Sequence, residues 1–170
     1  MRTVFGADEQ SEVKVDVLRW VRLARMVLDE ERVPEEAEMS VIFVDEQAMS
    51  DLNERFLGGS GPTDVLAFPM DEDMSPGGRQ PDQGGRGPGS PAEASDPPTV
   101  IGDVVVCPQV ASRQIGEKES VDDEVALLVV HGVLHLLNYD HAEDHESEAM
   151  RKRERELLAR FRQLEREAGL

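Results

Sequence analysis

The chain has 170 residues, 39% of them hydrophobic, and a formal net charge of −18, so it is long enough for one core but lacks the broad basic face of a protein that grips phosphates unaided. A single cysteine excludes an internal disulfide and suits a reducing compartment. No run of about 18 apolar residues is present, as a membrane-spanning helix would need, and the first nine residues hold no signal-peptide-like apolar stretch, so a cytoplasmic protein with no membrane partner is expected.

Residues 2–6 read as a short strand. From Asp16 to Arg32, the residues Val17, Trp20, Val21, Ala24, Val27 and Leu28 follow the spacing of an amphipathic helix that Pro34 ends. Met39 to Val44 is short, apolar and β-branched, hence a strand, placed centrally. Asp45 fits the N-cap of a second helix carrying Ala48, Met49, Leu52 and Phe56 on one face. Arg55 falls in that helix's last turn, where a cation suits the negative end of the helix dipole. After the loop Gly58 to Pro62, a strand over Thr63 to Phe68 is stopped by Pro69.

Residues 71–98 contain six Gly and six Pro and no aromatic or branched aliphatic side chain. Such a segment cannot bury enough apolar surface to offset the entropy of ordering, so it reads as a flexible insertion splitting two strands of a hairpin. Its Arg79 and Arg86 read as parts of a solvated linker. Val100 to Val106 forms another buried strand. Asp103 in its middle needs a partner there, either as support for a metal ligand or as the holder of a turn. Cys107 reads as a small buried hydrophobe. Pro108 to Gly116 fits a short helix with proline in its first turn, and Ser120 to Asp123 fits the capped start of the next, with Asp122, Asp123 and Glu124 at its positive end.

That next helix carries the chemistry. Val125, Leu127, Leu128, Val129 and Val130 lead into His131-Gly-Val-Leu-His135-Leu-Leu-Asn-Tyr-Asp-His141. Four residues apart on a helix, His131 and His135 stand one turn above each other and can both reach an ion at about 2.0–2.1 Å. His141 joins as a third ligand if the chain leaves the helix at Asn138, a residue that tolerates the left-handed conformation. Three nitrogen ligands with no local fourth is the pattern of a catalytic zinc. The alternative is a buried helical histidine bonded to a carbonyl. Gly132 stands where another zinc motif places a glutamate base, and a helical glycine costing about 1 kcal/mol points to close approach by a neighbouring segment or by substrate. A final helix from Ala142 to about Glu167 has Met150, Leu157, Phe161 and Leu164 as its core stripe. Arg151, Arg155, Arg162 and Arg166 line another face, read as solvated or as a contact for RNA, and His145 near its start reads as exposed.

The histidine segment, together with Leu52-Asn-Glu-Arg55 and Pro62-Thr-Asp-Val-Leu-Ala-Phe-Pro69, and with Ile101-Gly-Asp-Val-Val-Val-Cys107, resembles in order the three signatures of the YbeY family of bacterial endoribonucleases. Two positions depart from the family's usual pattern, which has Gly at Asn138 and Ser at Ala67. The resemblance implies one α+β domain with a mixed sheet of about four strands and the histidines on and just after a central helix. It implies one zinc ion held by His131, His135 and His141, and Arg55 on the phosphate. It further implies cleavage of single-stranded RNA in ribosomal RNA processing (16S 3′ end maturation) and ribosome quality control, with the ribosome or a small-subunit ribosomal protein as partner. Asp140 or Asp103 would orient a ligand histidine. Two other readings are a non-catalytic ribosome-assembly factor with a structural zinc, suited to the acidic charge, and a metal-dependent hydrolase of another substrate.

Overall fold

The computed structural model describes residues 2–70, 99–117, 119–139 and 144–170, with backbone alone for 144–146. The expected insertion at 71–98, His141, Asp140 and the His145 side chain lie outside what it describes.

Four strands, β1 (Thr3–Asp8), β2 (Ala37–Phe43), β3 (Val65–Pro69) and β4 (Thr99–Val106), and five helices, α1 (Val17–Glu30), α2 (Glu46–Leu57), α3 (Pro108–Gln114), α4 (Val121–Leu136) and α5 (Asp144–Glu167), make one α+β domain. The sheet order is β1-β2-β4-β3. β2 is central as expected, parallel to β1 and β4, while β3 runs antiparallel to β4 as the edge strand. Pro69 is the last residue of that edge rather than a residue beyond it, a place where a missing N–H is tolerated.

The caps at Asp45 and Ser120 fall where the sequence puts them, and Asp16 caps α1 as well. The side chains of Asp16, Asp45 and Ser120 accept from the amides of Arg19, Ala48 and Asp123. Each satisfies a backbone donor that the helix itself leaves unpaired. Residue parity then sorts the sheet into two faces. Val104 and Val106 of β4 join Met39, Val41, Phe43 and the apolar sides of α1, α4 and α5 in the main core, whereas Val105 joins Met49, Leu66, Cys107 and Val110 in a smaller cluster on the other face. Burial pushes the Cys107 thiol above its ordinary pKa, as befits an apolar residue. One expectation fails here. Phe56, placed by spacing on the buried side of α2, is 58% exposed because α2 covers only part of that second face.

α4 packs on β4 and β3 and is flanked by α1 and α5. Gly132 permits the approach. A Cβ there would lie 2.5 Å from Val104 Cγ1, so the glycine serves a neighbouring segment, one of the two uses expected of it. Gly132→Ala should therefore destabilise the fold by about 1–3 kcal/mol through overpacking, with Val104→Ala in the same chain recovering part of the loss. Urea denaturation of both single variants and the double variant measures this, and additive losses would contradict the contact.

Candidate metal and nucleic-acid site

The site is built on the last turns of α4 and one buried carboxylate of α5. The His131 and His135 rings meet edge to face, with centroids 4.5 Å apart, and their Nε2 atoms are 3.0 Å apart. On the far side of His131, Nδ1 stands 2.6 Å from Oε1 of Glu154. Glu154 is 7% exposed and is the one buried charged residue among those described. A carboxylate so placed accepts the Nδ1–H and leaves the lone pair of neutral His131 on Nε2, directed at His135.

Two imidazole nitrogens bound at about 2.0–2.1 Å to one tetrahedral ion stand roughly 3.3 Å apart, close to the separation seen here. The pair therefore suits a divalent cation, with Glu154 completing a carboxylate–histidine arrangement. Among the described residues no third ligating side chain joins them. His141, the expected third, is outside those residues, and so is Asp140.

The chain's exit from α4 follows the expected course. Asn138 has φ 69°, Tyr139 N–H donates to Leu134 O at 3.0 Å and Asn138 N–H to His135 O at 3.1 Å, the paired bonds of a left-handed helix stop. Immediately beyond, the Tyr139 hydroxyl donates to Glu31 Oε2 at 2.8 Å, and Arg153 of α5 also donates to the Glu31 carboxylate. Burial first, and then Glu31, hold the Tyr139 phenol above its usual pKa. One carboxylate at the C-cap of α1 thus ties the exit of α4 to α5, four residues after His135.

The histidines open into a concavity of about 320 Å³ whose walls include Leu57, Val65, Ala67, Pro69 and Gly132. Ala67 is therefore in the site itself. A smaller hollow of about 140 Å³ on the α5 side is shared by His131, Ser147, Met150, Arg151 and Glu154. Arg151, the first member of the arginine stripe, is exposed like Arg155 and Arg166 but borders this hollow beside His131, and Arg162 faces Asp123 at 3.6 Å.

Two expected residues are not brought to the histidines. Arg55 is exposed, its guanidinium 5.5 Å from the centre of the Phe56 ring, and it lines neither histidine hollow. Asp103 pairs with Phe68 across the sheet and lines a groove with Val105 and Ile42, on the face opposite Val104. It therefore orients neither His131 nor His135. A strand places successive side chains on opposite faces, and that parity decides the matter. Glu154 takes the orienting role instead, and its signal was present in the sequence. It continues the spacing of Met150, Leu157 and Phe161, so a carboxylate occupies a core position of α5.

Comparison with known proteins identifies the family of the chain. The sequence pattern of the family described as Endoribonuclease YbeY matches residues 6–162. The Endoribonuclease YbeY of Thermobifida fusca is 48% identical over 154 residues, 90% of this chain and 90% of that protein. That of Salinispora tropica is 46% identical over 154 residues, 90% and 92% of the two chains. A solution structure of a Thermotoga maritima protein, 24% identical, shares the fold with a TM-score of 0.51 over 94% of this chain and 92% of that one. With nearly the whole length matched at this level of identity, the chain belongs to the YbeY endoribonuclease family.

Proposed function

We propose that this protein is a zinc-dependent endoribonuclease of the cytoplasm that cuts single-stranded RNA, acting in 16S ribosomal RNA 3′ end maturation and ribosome quality control. The observation that carries the reading is the convergence of the His131 and His135 Nε2 atoms, 3.0 Å apart, in an open concavity behind which Glu154 holds the other His131 nitrogen. Family membership supports RNA as the substrate. Among the described residues no helix is long and apolar enough to cross a membrane.

His131, His135 and His141 would hold the ion. When bound, it supplies Lewis-acid polarisation of the scissile phosphate and a more acidic water. Glu154 keeps His131 in the tautomer that binds metal through Nε2 and strengthens it as a donor. The apolar walls formed by Leu57, Val65 and Ala67 reduce the local dielectric and sharpen every charge interaction within. Arg55, exposed and permanently charged, would hold a backbone phosphate outside the histidine hollows, and Arg151 would offer a second cation beside His131. No carboxylate other than Glu154 lines the two histidine hollows among the described residues.

The net charge of −18 favours a second reading, a ribosome-assembly factor whose zinc is structural and whose acidic surface binds a basic small-subunit ribosomal protein. Cleavage of an end-labelled single-stranded RNA by the zinc-loaded protein separates the two. Wild type should cut. His135→Ala should lose more than about a hundredfold in rate and Arg55→Ala about tenfold or more, both remaining folded by circular dichroism. Equal activity, or none, in all three preparations would contradict the enzyme reading. Glu154→Gln should weaken zinc binding by about 10–100-fold in competition with a chromogenic chelator. An unchanged zinc affinity would remove the role assigned to Glu154.

A further inference from the structure

On the opposite side of edge strand β3 from the histidines lies a second groove, of about 590 Å³, lined by Phe56, Phe68, Ile42, Val105, Glu9 and Asp103. It shares Leu57, Ala67 and Pro69 with the histidine concavity, so the two hollows meet over β3. We propose that this groove is a subsite for one unpaired nucleobase of the bound strand, with guanine the base it fits best, an inference that rests on the RNA reading above.

The walls supply what a base needs. Phe56 and Phe68 stand edge to face with centroids 5.5 Å apart, and Phe56 is 58% exposed with Leu57 beside it 63% exposed. These are costly side chains to leave in water, and every base has a π-face that stacks on such rings. The charges then sort base from backbone. Glu9 and Asp103 make the groove repel a phosphate, while Arg55, above the Phe56 ring at 5.5 Å, offers the phosphate a place at the rim. A neutral base inside and its phosphate outside satisfies both.

Asp103 sets the preference among bases. It is half-buried between Val104 and Gly102 on the central β4, and its carboxylate takes part in no hydrogen bond or ion pair among the described residues. An ionised carboxylate only accepts. Guanine presents two adjacent donors, N1–H and N2–H, to its two oxygens. Adenine, cytosine and uracil each place an acceptor beside the donor on that edge. Asp103 thus has a use that its distance from the histidines had left open.

Fluorescence anisotropy with a short fluorescein-labelled oligouridylate carrying one guanosine, read at first mixing with the full chain, tests the subsite. Replacing that guanosine by an abasic unit should weaken binding to wild type about tenfold, and adenosine should fall between. Phe56→Ala should abolish the difference and Phe56→Trp restore it, each checked by thermal melting. Asp103→Asn should reduce the preference for guanosine over adenosine while retaining the penalty for the abasic unit. If wild type binds the guanosine and abasic strands equally, the subsite is wrong although RNA binding stands. If wild type binds neither, the subsite and the RNA reading fall together.

Discussion

The contact between the buried Glu154 carboxylate and His131 Nδ1, 2.6 Å across, is what the rest of the site depends on. Removing a carboxylate from water costs several kcal/mol unless a strong partner meets it. The imidazole N–H is that partner. Meeting it fixes the tautomer of His131 and turns the ring so that Nε2 faces His135. A single interaction therefore links the stability of α5 against α4 to the chemistry that the histidines can perform, and loss of the carboxylate would disturb both.

The scaffold around that contact is arranged to hold two helices at short range. Gly132 lets α4 settle onto Val104 of β4, which puts both histidines at the open side of β3 rather than inside the core. α5 is tied down by Arg153 to Glu31 and by Arg19, whose guanidinium donates to both oxygens of Glu165 at 3.0 and 2.9 Å. These pairs join α5 to α1, and Glu31 also holds Tyr139 just past α4. Partly exposed pairs contribute modestly one by one, but here they share partners across three helices, so they constrain geometry more than they add stability. The acidic surplus of the chain is partly spent in this way. Glu31, Glu154 and Glu165 all face inward or toward arginine.

Much of this was legible in the sequence for local reasons. Caps at Asp45 and Ser120, the helix stop at Asn138 and the closeness required at Gly132 are each dictated by a few neighbouring residues, and the structure bears them out. The i, i+4 spacing of His131 and His135 likewise determines that their rings meet. What depended on long-range packing was less visible. Phe56 carries the right spacing for burial, yet nothing local reveals that α2 overhangs the sheet. Asp103 and Arg55 sit inside family-like blocks, but strand parity sends the first to the far face and helix rotation leaves the second over Phe56. Glu154 is separated from His131 by 23 positions, and only its place in the apolar stripe of α5 hinted at a buried partner.

The central claim is that Glu154 directs His131, with His135, to bind a metal through Nε2. Nitrogen-15 NMR of histidine-labelled protein, with zinc added stepwise, tests it most directly. The account predicts that His131 and His135 both shift at Nε2 at one equivalent of zinc while the proton on His131 Nδ1 persists. Zinc binding through His131 Nδ1, with that proton lost and the Glu154 contact broken, would contradict it.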